Sequence, residues 1–195
     1  MTRTGRGRTL GTGLAVLAVA VVAALLAFGV NQAEKHLGLP LNHATIIREQ
    51  AAAKHLDPAL IAAVIYAESK FEPRESAAGA QGLMQILPET AYFLAKRTGG
   101  TRFTAADLAT PAVNVAYGSY YLRYLLDHYG GSEMLALAAY NGGLTNVDNW
   151  VAQARAEGHA LTVSAIPFPE TREYVRRVLS AQRAYRATYA RELGI

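Results

Sequence analysis

Cysteine is absent from the 195 residues. That absence excludes a disulfide framework, a cysteine nucleophile, thiolate zinc sites and lipidation of an N-terminal cysteine. It leaves an extracytoplasmic location open, because a domain of this size needs no covalent staples. The five histidines, His36, His43, His55, His128 and His159, are scattered and form no HExxH, so no metal is implied. No segment recurs at the period of a repeat protein, which excludes a solenoid. With 51% hydrophobic residues, there is room for one globular domain with a core and one appendage.

The appendage is N-terminal. "MTRTGRGRTL" supplies Arg3, Arg6 and Arg8 without an acid, and "LGTGLAVLAVAVVAALLAFGV", residues 10–30, carries no charge. A run of this length can cross a hydrocarbon core, which needs about 20 residues. The arginines would stay on the cytoplasmic side and send the rest of the chain out. "AFG" before Val30 is a passable cleavage site, so a cleaved signal peptide competes with an uncleaved anchor. The run exceeds the usual apolar region of about 7–15 residues in a signal peptide, which favours the anchor. The expectation is a single-pass membrane protein with an extracytoplasmic domain, or a secreted or periplasmic one if the segment is removed.

Past Val30 the charge nearly vanishes. All fifteen acids lie there with sixteen of the nineteen basic residues, a formal charge of +1. Nucleic acid is therefore not the expected partner. The one basic stretch, "TREYVRRVLSAQRAYRATYARELG", reads as a solvated helix face or a contact for an anionic surface.

The same region reads as helix after helix. "NQAEKHLGLPLN" is a connector, and "HATIIREQAAAKHL" has helical apolar spacing. Asp57 and Pro58 are a good cap and first-turn pair for "PALIAAVIYAES", which is apolar on nearly every side and should be the central buried helix. "PETAYFLAKRTGG", "PAVNVAYGSYYLRYLLDHYGG" and "SEMLALAAYNGG" each close on glycine, and "LTNVDNWVAQARAEG" and the basic helix come after them. Asn141 reads as a helix cap, and only "HALTVSAIPF" suggests extended chain. The pattern predicts an all-α protein: an anchor over 1–30, a linker over 31–42 and one helical domain over 43–195.

Glu68 is the residue that does not fit. It stands at the end of the most apolar helix, where Val64 and Ile65 would disfavour its charged form and raise its pKa. The negative end of the helix dipole acts in the same direction. A glutamic acid kept protonated near neutral pH is a general acid for a leaving oxygen. A solvated Glu68 on the outer side of the helix is the competing reading. The loop "KFEPRESAAGAQG" can wall a groove beside the acid, and Gly79 and Gly82 allow backbone to approach a ligand. Gln85 offers a donor and an acceptor suited to sugar hydroxyl and acetamido groups, while Met84 and the aromatic residues offer apolar faces. Tyr140 and Asn141 end another apolar run with polar tips.

Taken together, these segments resemble the soluble lytic transglycosylase (SLT) domain family, whose fold is goose-type lysozyme-like. "ES" at Glu68 and Ser69 is similar to the family's catalytic motif, and "GAQGLMQILPETA" to its second block. "ATPAVNVAYGSYYL", "AAYNGG" and "PFPETREYV" resemble three further blocks in the family's order. The loop "KFEPRESAA" is one residue shorter than the family pattern, and Ser76, by its distance to Gly79, takes the family's serine position. Gly142 stands where alanine is usual.

The resemblance implies a lyase acting on peptidoglycan. Glu68 protonates the oxygen of the β-1,4 bond between N-acetylmuramic acid and N-acetylglucosamine, then takes the proton of the muramoyl C6 hydroxyl as it closes on C1. A 1,6-anhydro end results, and no second carboxylate or cofactor is required. Substrate binding is implied for Ser69, Ser76, Gly82, Met84, Gln85, Tyr140, Asn141, Glu170 and Tyr174, with Ser69 and Ser76 either near the scissile sugar or steadying Glu68. Glu75 reads as a surface charge. The partners expected are glycan strands of the wall and, through the N-terminal helix, the membrane. A lysozyme-like hydrolase of the same bond, a wall-binding module and a membrane scaffold are the alternatives.

Overall fold

Proline starts four of the helices, because its fixed φ suits the first turn and its missing N–H would be unpaired there anyway. The computed structural model describes residues 39–99 and 102–195. Among these the helices are α1 (Ala44–Lys54), α2 (Pro58–Ser69), α3 (Pro88–Thr98), α4 (Pro111–His128), α5 (Glu133–Gly142), α6 (Leu144–Ala156) and α7 (Pro169–Leu193). Two short 3-10 helices, Ala105–Ala109 and Val163–Ala165, lie between them. The expected anchor over 1–30 and most of the linker lie outside the described residues. Among the described residues no helix is long and apolar enough to cross a membrane.

Helix α2 is the core, as its composition predicts. Every residue from 59 to 65 is buried, and each large aliphatic side chain there contributes about 1.5–3 kcal/mol by leaving water. Asp57 caps it, with Oδ1 accepting from the Ala59 N–H at 3.0 Å. Its Oδ2 accepts from Gln182 Nε2 at 2.7 Å and pairs with Arg186 Nη2 at 3.0 Å, which ties the start of α2 to α7. Helix α7 turns the opposite stripe to α2: Thr171, Tyr174, Val175, Val178, Ala181, Gln182 and Tyr185 are buried at helical spacing. Arg176, Arg183 and Arg191 are exposed on the other side, a solvated face, while Arg186 reaches Asp57 and Arg177 lies over the Tyr174 ring.

Three local expectations are corrected. The loop after α2 is not irregular throughout: Arg74–Glu75 (β1) and Gln81–Gly82 (β2) pair as a short antiparallel hairpin. The segment 159–168 forms no strand; it holds the second 3-10 helix. Asn141 is not a cap, because α5 runs one residue further and Gly143, at φ 84°, ends it.

Candidate active site

The end of α2 is shaped by the two residues after it. Lys70 and Phe71 both adopt left-handed backbone, at φ 54° and 65°, so the chain leaves Ser69 in a sharp turn. That conformation is costly for non-glycine residues, and here buried Phe71 packs on the Tyr185 ring at 6.2 Å to hold it. Arg74 reaches back from β1 and donates to the Glu68 carbonyl at 3.0 Å, covering an orphan acceptor of the helix end.

Ser69 is fully buried. Its Oγ donates to the Leu83 carbonyl at 2.7 Å and lies 3.1 Å from that of Ile65. It therefore joins α2 to the 79–91 block. Ser76 does comparable work inside the hairpin loop, where its Oγ accepts from the Ala80 N–H at 3.0 Å.

The block itself is held by a residue that the sequence pattern did not single out. Asn114, buried on α4, accepts from the Met84 N–H at 2.8 Å and donates to the carbonyls of Gln81 and Leu108 at 2.8 and 3.0 Å. Gly82 makes room for it: a Cβ there would lie 2.2 Å from Asn114 Nδ2, at a backbone φ of +76°. The glycine thus admits a side chain of the protein, where a ligand was expected. Met84 is corrected in the same way. Its thioether is fully buried against Gly118, so it offers no face to a sugar, and its carbonyl instead accepts from the Tyr140 hydroxyl at 2.9 Å. Gln85, at φ 47°, donates from Nε2 to the carbonyls of Arg74 and Gly82, both at 2.8 Å, which fixes the hairpin against the block. A polar residue on the apolar stripe of "PAVNVAYG" was the available signal for Asn114.

Glu68 is half-buried, and its solvated alternative is set aside by its surroundings. Burial pushes its pKa up to about 7 from the usual 4.5, against the opposing pull of Tyr174, Arg177 and Arg74; the charge of Glu170 adds to the rise. Buried Tyr174 is the strongest of the opposing groups, yet its hydroxyl completes no hydrogen bond of normal geometry in this structure. It is a donor held beside the carboxyl. Arg177 lies over the Tyr174 ring, 5.7 Å from its centre. Burial, followed by the charge of Glu68, keeps the Tyr140 and Tyr174 phenols protonated far beyond neutral pH. Glu170 is exposed at the start of α7, and Asn141 is exposed with its Oδ1 accepting from buried Thr171 at 2.7 Å. Glu68, Tyr140, Tyr174 and Glu170 thus share one neighbourhood, while Glu75 is an exposed hairpin residue.

This environment has a stability consequence. The folded protein holds a proton on Glu68 between pH 4.5 and about 7 that the unfolded chain releases. Its contribution is present below pH 4.5 and is lost as pH rises to about 7. Replacing the carboxyl by a neutral amide removes that loss. Glu68→Gln is expected to melt above the wild type at pH 8, by about 1–3 kcal/mol of stability, with the gap closing towards pH 5. Parallel melting curves at both pH values would contradict the burial of this acid.

A buried helix ending in one sheltered acid, with two phenols beside it and a short hairpin behind it, marks the candidate active site of an all-α domain. The model of the Transglycosylase SLT domain matches residues 45–163. The chain belongs to that family. It is 32% identical over 150 residues to the soluble lytic murein transglycosylase of Escherichia coli strain K12, covering 75% of this chain and 23% of that protein. It is 35% identical over 156 residues to a putative soluble lytic murein transglycosylase of Haemophilus influenzae, covering 77% and 26%. Among solved structures, an inactive mutant of the lytic transglycosylase Slt from Pseudomonas aeruginosa superposes with a TM-score of 0.70 at 32% identity, over 76% of this chain and 24% of that one. The chain spans about a quarter of the length of these relatives.

Proposed function

We propose that this domain is a peptidoglycan lytic transglycosylase. The observation that carries the reading is the state of Glu68: a carboxyl with a pKa near 7, flanked by two protonated phenols and two arginines. At neutral pH such a group is present in both forms, so it can serve as acid and then as base.

The reaction proceeds in two proton transfers. Glu68 gives its proton to the glycosidic oxygen, the C1–O bond of N-acetylmuramic acid breaks, and the N-acetylglucosamine unit leaves with a free hydroxyl. The substrate's own acetamido oxygen supports C1, one of the exceptions to the two-carboxylate scheme. Glu68, now charged, is stabilised by the Tyr174 hydroxyl and by Arg177 and Arg74. It then takes the C6 hydroxyl proton as that oxygen bonds to C1, which closes the anhydro ring and restores the acid. Asn141 and Glu170 line the sugar side, and Gln85 presents its amide oxygen there. Ser69, Ser76, Gly82 and Met84 hold the wall of the cleft. The uncharged segment 10–30 anchors the domain to the membrane on its extracytoplasmic side, with 31–42 as the tether.

Clearing of isolated cell-wall sacculi by the purified protein tests the reading: a fall in turbidity supports it, and a protein that binds sacculi without clearing them would be a wall-binding module. The rate should decline as pH rises past about 7, because the first step needs the protonated acid. Tyr174→Phe removes a group that favours the charged form, so the alkaline limb should move to higher pH. A limb that stays in place or moves down would contradict the role given to Tyr174.

A further inference from the structure

The Tyr140 ring is the first of a row of aromatic rings that leads away from the acid. Tyr121 packs on it at 5.3 Å between centres, Tyr124 stacks beside Tyr121 at 6.4 Å, and Phe93 meets Tyr124 at 5.6 Å. The row crosses from α5 over α4 to α3, and its last member, Phe93, is 42% exposed.

Two adjoining depressions share Tyr124. The first, about 300 Å³, is bounded by Phe93, Tyr121 and Tyr124 with Glu89 and Thr90 at its edge. Aromatic faces with polar groups at the rim suit a sugar ring. The second, about 290 Å³, holds Arg97, Arg123, Tyr120 and Asp127. Asp127 neutralises Arg123 at 2.7 Å, and His128 is paired with Asp148 at 2.9 Å. Arg97 is different. Its guanidinium lies over both Phe93 and Tyr124, 5.5 and 5.2 Å from their centres, and its N–H groups have no hydrogen-bond or carboxylate partner among the described residues. Stacking fixes the plane of a guanidinium and leaves its donor edge free, the arrangement that binds a carboxylate in two-pronged fashion.

We infer that these depressions form a second recognition site for a stem-bearing sugar of the glycan strand, its ring on Phe93 and Tyr124 and a carboxylate of its peptide stem on Arg97. The inference rests on the proposed function, since it takes its ligand from the same polymer. The site lies at the far end of the aromatic row that starts beside the acid at Tyr140, so it holds a strand without entering the reaction. Phe93 supplies affinity for any strand, and Arg97 supplies the preference for strands that keep their acidic stems.

Calorimetric titration of the Glu68→Gln protein tests it, with soluble glycan strands that carry their stems and with the same strands after the stem carboxylates have been converted to carboxamides. The ratio of the two Kd values, amidated over acidic, should fall about tenfold when Arg97→Ala is added, as expected for a lost charge-assisted contact. Phe93→Ala should weaken both strands together. A ratio unmoved by Arg97→Ala, with wild type still cleaving strands, overturns the second site and leaves the proposed function standing. Wild type that cleaves neither kind of strand overturns both.

Discussion

Glu68→Gln should abolish strand cleavage while leaving the fold and strand binding in place. General acid or base catalysis by one side chain contributes about 10²–10⁴-fold. Glu68 serves in both proton transfers, so the loss belongs at the upper end of that range. Glutamine keeps the shape of the side chain and can still accept from Tyr174, but it has no proton to give and no charge for Arg177 and Arg74 to stabilise. The expected signature is a folded variant with unchanged helical circular dichroism, raised stability at pH 8 and no muropeptide release. A variant that keeps a tenth of wild-type activity would mean that another group supplies the proton.

Asn114→Ala is expected to do the largest structural damage of any single change at the site. The side chain satisfies the Met84 N–H and the carbonyls of Gln81 and Leu108 inside the protein. Each group left without a partner costs about 1–3 kcal/mol, so the loss should reach about 3 kcal/mol, roughly 6–12 °C in melting temperature for a domain of this size. Catalysis should fall as well, because the Met84 carbonyl that positions Tyr140 moves with the block. Gly82→Ala should reproduce the effect from the other side, since its Cβ would take the space of the Asn114 amide. Thermal melts decide this: a drop of only 1–2 °C in both variants would show that the block is held by something other than this asparagine.

How much of this the sequence announced differs from residue to residue. The buried status of α2 was plain, because seven consecutive apolar residues leave a helix no face for water. The Asp57–Pro58 start was equally plain, since capping is a local matter. Glu68 stood out as a polar residue on an apolar helix, and its neighbours shift its pKa as burial predicts. What escaped was long-range. Nothing near Gly82 in sequence says that its missing Cβ makes room for a side chain 32 positions later. Met84 looked like an apolar face for a ligand because hydrophobicity alone does not tell core from cleft; the Gly118 opposite it does. The hairpin was missed because its strands are two residues each, too short for an alternating pattern. Arg74 and Arg177 could be read as solvated charges until the fold brought them to the acid.

The mechanism makes the sugar attack itself, and that is the claim most directly open to measurement. Sacculi digested by the wild-type protein can be resolved into muropeptides and weighed by mass spectrometry. Intramolecular closure by the C6 hydroxyl predicts 1,6-anhydro-N-acetylmuramic acid ends, one water lighter than reducing ends. Hydrated reducing ends as the main product would contradict it and leave Glu68 as the acid of a hydrolase.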